Sequence, residues 1–502
     1  MTRRSPSITI IGSGFGGIGM AIELRRAGFR DITIVEKADD VGGVWRDNTY
    51  PGAACDVPSH LYSFSFAPKH DWSRRFAPQA EIHRYLRETA ESFGVLPHIR
   101  FGMEVTDAAF DETSGTWTVT FADGTRHTTD VLISAVGQLS RPAIPRLPGL
   151  DTFGGAVFHS ATWDHDYDLT GKRVGVIGTG ASAIQFVPEV APQAAELTLF
   201  QRSAPHVLPK PDYPYPDAAI TALRLIPGLH RLSRWATYWT LEPRATAFTK
   251  YPRLMKLVDW RFRRHLRKHV PDPELRARLT PTDPIGCKRV LLSNNYYPAL
   301  SRPNVDVVTD PIAEITPTGV RTADGVLHEL DAILLGTGFA ATDFLAPMHI
   351  TGLDGVDLND AWRDGAEAHL GMTVSGFPNM FLLYGPNTNL SHSSIVFMLE
   401  SQFRYVVQAV NRLAEGDIRS LDVLPEAQSA FNETIQRRVQ DTVWAAGCHS
   451  WYQTDSGKNT NNWPGFTVGY RQRTRRLDPA DFRTQPAETA RIDTITTKAS
   501  AS

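Results

Sequence analysis

Two glycine-rich turns with matching flanks constrain this chain more than any other feature. In residues 7–36, SITIIGSGFGGIGMAIELRRAGFRDITIVE, a β-branched run ends at Ile11, Gly12-x-Gly14-x-x-Gly17 follows, and a helical stretch runs to about Arg26. A second strand, 32–35, ends in Glu36. Gly12 allows a tight turn, Gly14 lets the backbone approach a pyrophosphate, and Gly17 lets the helix pack close to the strand. The N-terminus of that helix then turns its unpaired N–H groups toward the phosphates. Residues 172–203 repeat the plan, with a strand at 174–177, Gly178-x-Gly180-x-x-Ala183, and a strand at 197–200. The interval from Gly12 to Glu36 equals that from Gly178 to Arg202, 24 residues in each.

The two copies differ where a ribose would sit. Glu36 can accept hydrogen bonds from a 2′-hydroxyl, which suits FAD or NAD, whereas Arg202 and Ser203 suit a charged 2′-phosphate, which suits NADP. Two such folds in one chain imply electron traffic between two cofactors, with NADPH as hydride donor and FAD as acceptor. The expected fold class is α/β, with two Rossmann-like dinucleotide-binding domains and a helical insertion in the NADP domain. Two further apolar strands that end in glycine turns, 131–137 and 332–339, are ordinary buried strands by themselves and fit chain returns between such domains.

The 502 residues exceed one average domain. The expected division is an FAD-binding part at 1–140 and an NADP-binding domain at 150–340 with its insertion at about 215–285. A return to the first domain follows at 341–484, then a disordered tail at 485–502. The proline-rich run 140–149, SRPAIPRLPG, marks the first boundary. Net charge is −2, so no nucleic-acid partner is expected. The basic run 261–269, RFRRHLRKH, reads first as a solvated helix face, with a membrane surface or a partner as the alternative. Cys55, Cys287 and Cys448 form no CxxC pair, so no zinc or dithiol site follows; three free thiols fit a reducing compartment. The apolar run at 8–22 is broken by glycines, and no other stretch is long enough to span a bilayer. The cytoplasm is the expected location.

Between the two folds stands Phe153-x-Gly155-x-x-x-His159-x-x-x-Trp163-Asp164. This resembles the type I Baeyer–Villiger monooxygenase fingerprint at every defined position. Further resemblance lies in GGVW (42–45), YPGAACDVPS (50–59), YSFSF (62–66), GCKR (286–289) and SWY (450–452). The family resemblance implies a class B flavoprotein monooxygenase that uses FAD, NADPH and O2. It converts small-molecule ketones to esters or lactones through a C4a-peroxyflavin. The loop SWYQTDSGKNTNNWPG (450–465) departs from the GANIPGK-like run of some members, so substrate range does not carry over.

By the same resemblance, Arg289 is the catalytic cation and Asp56 its companion beside the flavin. A guanidinium stays protonated at any working pH, and preorganised charge acts best in a dry site. Flavin contacts implied by motif are Gly12, Gly14, Gly16, Gly17, Glu36, Val44, Trp45, Arg46, Asp47, Asp56 and Tyr62, with Val105 and Ile395. NADP contacts would be Ala54, Cys55, Thr179, Gly180, Ala181, Ser182, Ala183, Ile184 and Gln185. Arg202, Ser203 and Lys288 would hold the 2′-phosphate, and Trp451 would close on the nucleotide. His159 reads as an interdomain histidine without a chemical step. The main rival is a flavin N- or S-monooxygenase. A pyridine nucleotide–disulfide reductase would need a redox cysteine pair, and a flavin-binding regulator would not need Asp56 with Arg289.

Overall fold

The computed structural model describes residues 5–448 and 450–487. Each glycine turn leaves the middle of its own five-stranded parallel sheet. The first sheet has the order Met380–Leu382, Val131–Ser134, Ile8–Ile11, Ile32–Val35, Ile99–Arg100. The second has the order Val305–Val308, Glu196–Phe200, Arg173–Ile177, Ala332–Leu335, Ala156–His159. The central strands Ile8–Ile11 and Val131–Ser134 are buried at every position, as helices on both faces require. Helix Phe15–Arg26 packs so closely on helix Ile395–Ala414 that a Cβ on Gly19 would lie 2.5 Å from the Phe403 ring. The chain beyond residue 340 thereby returns to the first sheet, through one strand and one long helix.

A smaller sheet of Val105–Asp111, Thr116–Phe121 and Arg126–Thr129 lies beside the first, and His349–Thr351 adds to its edge. The insertion follows strand Glu196–Phe200 as a run of helices, of which Leu229–Leu241 and Met255–His269 are the longest. It packs on both halves. Tyr238 stacks on Phe397 of the long C-terminal helix, and Phe262 meets His206 of the second fold edge-on.

Two expectations are corrected. Cys287 is joined to Cys448, so Cys55 alone is a free, buried thiol among the described residues. The partners are 161 residues apart and carry no local signal. The fold brings them together because their flanks share a small apolar cluster of Met255, Val443, Trp444 and Tyr452, with Ile285 and Val290 against it. The expected tail also starts too early. Gln485 and Pro486 belong to strand Phe482–Pro486, which pairs with Ile418–Val423. The rest of that tail, 488–502, lies outside the described residues.

Three buried histidines at the insertion's contacts set an acid limit. His60 stacks on Tyr215, His230 stands edge-on to His60, and His206 meets Phe262. Burial holds each ring down to about 4 from an ordinary value of 6.5. The unfolded chain therefore binds more protons than the folded one between those values. Stability is full above pH 6.5 and is lost as pH falls toward 4. The expected loss is roughly 1–2 kcal/mol per ring by about pH 5. Thermal melts between neutral pH and about pH 5 measure it, and a flat melting temperature across that window removes this account.

Candidate active site

Both glycine turns open into one cleft of about 1500 Å³ between the sheets. Gly12 sits at φ +100° and its N–H donates to the Val35 carbonyl at 2.8 Å. Gly178 sits at φ +108°, and a Cβ there would lie 2.3 Å from the Gly336 carbonyl oxygen. Gly14, Gly16, Val44, Trp45, Arg46, Asp47, Tyr62, Val105 and Ile395 line the first turn's side of the cleft. Thr179, Gly180, Ala181, Ser182 and Gln185 line the second. Gly17, Ala183 and Ile184 stand behind the wall instead. Gly17 faces the Gly12 carbonyl, while Ala183 and Ile184 are buried in the second fold's core. The reason lies in the motif: its third small residue serves close packing of the helix on the strand, which turns this part of each helix toward the core.

The ends of the two second strands carry opposite chemistry. The Glu36 carboxylate accepts from the Ser13 N–H at 2.9 Å, from the Ser13 hydroxyl at 2.7 Å and from the Ala38 N–H at 3.1 Å. Arg46 pairs with it at 3.2 Å. Burial pushes the Glu36 carboxyl up, and these donors with Arg46 more than offset it, so the group stays ionised below the usual range. At the matching place in the second fold Arg202 is exposed to the cleft. Lys288 donates to the Ser203 hydroxyl at 3.1 Å and pairs with Asp283 at 2.6 Å. Two cations and a hydroxyl therefore converge where the first fold has a carboxylate.

The halves are tied across the cleft by polar contacts. The Tyr50 hydroxyl donates to Gln185 Oε1 at 2.9 Å, and Gln185 Nε2 donates to the Ala54 carbonyl at 2.9 Å. Deeper, Arg289 Nη2 donates to Asp56 Oδ2 at 2.6 Å, with each side chain about 30% open to the cleft (29% and 31%). Asp56 raises the already high affinity of the guanidinium for its proton. Burial pushes the Asp56 carboxyl up, but Arg289 pulls it below its ordinary value. The pair is therefore ionised, and both side chains line the cleft. Trp451 lies half-buried at the mouth, its ring 4.4 Å from that of Tyr452.

Three comparisons bear on this geometry. Residues 5–242 match the model of the flavin-binding monooxygenase-like family. A Baeyer-Villiger monooxygenase of Streptomyces coelicolor is 47% identical over 478 residues, covering 95% of this chain and 92% of the relative. The chain belongs to the Baeyer–Villiger monooxygenase family. A Baeyer-Villiger monooxygenase of Pseudomonas aeruginosa is likewise 47% identical, over 95% of this chain and 91% of its own. Among solved structures, a closed form of cyclohexanone monooxygenase superposes with a TM-score of 0.87 at 29% identity, over 97% of this chain and all of that one (100%). The OTEMO complex with FAD and NADP gives 0.86 at 30% identity, over 96% of this chain and 100% of that chain.

In this Baeyer–Villiger monooxygenase, three residues without a sequence assignment stand around Asp56 and Arg289. Burial holds Tyr384 and Tyr452 neutral against the opposing pull of the Arg289 charge. The Tyr384 hydroxyl donates to Asn389 Oδ1 at 2.8 Å. Lys210 is a second cation acting on Asp56, and burial lowers its proton affinity. Tyr452 stands in SWY, which reads as a family marker, and Lys210 in the proline-rich run PKPDYPY (209–215), which by sequence only breaks a regular element. His159 ends strand Ala156–His159, accepts from the Ala161 N–H at 3.1 Å and meets the Phe339 ring edge-on, away from Arg289's pairing. Trp163 packs on Phe158 and Phe186, and Asp164 accepts from the Asp166 N–H in a turn, so both are structural.

Proposed function

We propose that this chain uses FAD, NADPH and O2 to insert one oxygen atom beside the carbonyl of a small-molecule ketone, giving an ester or lactone. The observation that carries this reading is the Arg289–Asp56 pair, set in one cleft between two glycine turns of unlike charge. FAD fits the first turn. Helix Phe15–Arg26 has no acidic residue in its first turn, and Glu36 stands ionised at the ribose position. NADP fits the second, where Arg202, Ser203 and Lys288 converge. Bound FAD would supply the centre that accepts hydride from NADPH and reduces O2. Gln185 and Tyr50 hold the two walls together. Arg289 places a permanent positive charge where negative charge develops on oxygen, and Asp56 fixes its orientation. Tyr384 lines the cleft near this pair, and Tyr452 is fully buried.

The same reading supports an FAD-binding unit from 1–140 and 341–484, and an NADP-binding unit at 150–340. Dependence on NADPH favours the cytoplasm, although a disulfide such as Cys287–Cys448 is uncommon there. No helix among the described residues is long and apolar enough to cross a membrane. Mass spectrometry of products from a panel of ketones, amines and sulfides tests the reaction. An ester heavier than its ketone by one oxygen supports it, and oxygenated amines or sulfides without any ester overturn it.

Coenzyme choice is a separate prediction. One charge-assisted phosphate contact contributes about 1.5–3 kcal/mol, so NADPH should exceed NADH by at least roughly tenfold in kcat/KM. Arg202→Ala should narrow that gap mainly through KM for NADPH. Equal kcat/KM for both coenzymes in the unaltered protein would show that Arg202, Ser203 and Lys288 do not read the phosphate.

A further inference from the structure

The helical insertion packs one side of its helices against the two folds and leaves large apolar side chains on the other. In helix Leu229–Leu241, His230, Arg234, Tyr238 and Leu241 turn inward, where Tyr238 stacks on Phe397 and Arg234 pairs with Glu400. Leu232, Trp235 and Trp239 follow each other at spacings of three and four on the outward side, and Leu232 is 65% and Trp239 57% exposed. Helix Met255–His269 repeats this. Phe262 and Leu266 join the second fold's core, while Leu257, 63% exposed, and Trp260 face out, with the Arg264 guanidinium over the Trp260 ring. Leu225 and Ile226 are exposed at the end of the preceding helix, and Tyr251 and Leu254 are exposed ahead of Met255. Of the 16 large hydrophobic side chains exposed among the described residues, nine fall between 225 and 260, including every exposed tryptophan.

The charge on this segment identifies the occupant. Residues 217–269 hold 12 Lys and Arg against 3 Asp and Glu, a net +9 in a chain whose total is −2. Two of the acids are neutralised locally: Glu242 is buried against Thr467 and His392, and Asp259 pairs with Arg263. Arg231, Arg253, Lys256, Arg261 and Arg264 form no ion pair among the described residues. Two copies of this face would repel each other. An anionic bilayer would attract it, and tryptophan and leucine among basic side chains are the groups that settle at a headgroup boundary.

We propose that the insertion docks the enzyme peripherally on anionic lipid bilayers, through Leu232, Trp235, Trp239, Leu257 and Trp260 ringed by Lys and Arg. The polar flank draws the face to the lipid, and the apolar side chains enter the headgroup region. The enzyme reaches membrane-dissolved ketones in this way without a spanning helix.

Vesicle co-sedimentation of the FAD-loaded enzyme tests the proposal. Vesicles of phosphatidylcholine with about one third phosphatidylglycerol should bind it at least tenfold better than phosphatidylcholine alone, since each basic group near such a surface contributes roughly fivefold. Raising the salt concentration should weaken the binding. A Trp235→Ser, Trp239→Ser, Trp260→Ser variant should lose most of it while keeping its FAD content and melting temperature. Lys256→Glu with Arg264→Glu should remove the preference for the anionic vesicles and leave the tryptophans in place. The proposal is overturned by equal binding to both vesicle types, or by no binding. It is equally overturned by a concentration-dependent dimer that the tryptophan variant abolishes, which would give the face to a second copy.

Discussion

Arg289→Ala is expected to retain FAD, to accept hydride from NADPH at close to the unaltered rate, and to make about 10²–10³-fold less ester. The two halves of the cycle ask for different things. Hydride transfer needs the nucleotides held in register, and in the proposed function that work would fall to the glycine turns, Glu36, Gln185 and the Arg202–Lys288 cluster. Oxygen insertion puts negative charge on oxygen inside the cleft. Arg289 is the charge-fixed cation there, because Asp56 raises its proton affinity and holds one edge of the guanidinium at 2.6 Å. Lys210 cannot replace it fully, since burial favours its neutral form and Asp212 also draws on its charge. Asp56→Ala should impair turnover too, by releasing Arg289 from its orientation. Anaerobic stopped-flow reduction, paired with ester yield under air, separates the steps. Unaltered ester yield from Arg289→Ala would transfer the role to Lys210 or Lys288.

Gly17→Ala should have the largest effect on the protein itself. A Cβ at residue 17 would lie 1.9 Å from the Gly12 carbonyl oxygen, which is backbone and cannot swing aside. Gly12 already holds a left-handed φ of +100° against the Ala135 carbonyl, so the turn has no room to yield. The cost should be roughly 3 kcal/mol or more, and the protein should purify without flavin. Gly469→Ala is the control, in a helix where an added Cβ meets nothing within 4 Å. It should stabilise by roughly 0.5–1 kcal/mol. FAD-to-protein ratio and melting temperature read both. A Gly17→Ala protein with full flavin content would mean that the helix can slide outward without losing the turn.

What could be read from sequence divides by the range of the signal. Strands 8–11 and 174–177, the glycine turns and the helices after them are local patterns, and each stands within about a residue of its expected place. The contrast of Glu36 with Arg202 is likewise local, because a fixed interval puts both at the end of a strand. Pairings between distant segments had no such marker. Asp56 and Arg289 are 233 residues apart and came together only through the resemblance of GCKR and YPGAACDVPS to one family. Cys287 lies in GCKR, but no motif joins it to Cys448. The basic charge of 261–269 was plain, but the outward Trp235 and Trp239 were hidden, because the inward side of that helix is His230, Arg234, Tyr238 and Leu241, and spacing alone makes the tryptophan side look like the one that packs. At the C-terminal end, polar composition suggested disorder where backbone pairing with Ile418–Val423 extends the strand through Pro486.

The crossing of Gln185 and Arg289 into the first half has a consequence for recombination. A graft that exchanges residues 150–340 between relatives carries both side chains with it and leaves Tyr50, Ala54 and Asp56 in the host. The cluster of Arg202, Ser203 and Lys288 would arrive whole, yet the ion pair and the amide clasp would have to re-form between strangers. Shuffled libraries of this fold should thus lose function at the seam between parents rather than inside either pocket. The crossovers that survive should be those in which both parents already present a carboxylate and a guanidinium at matching depth.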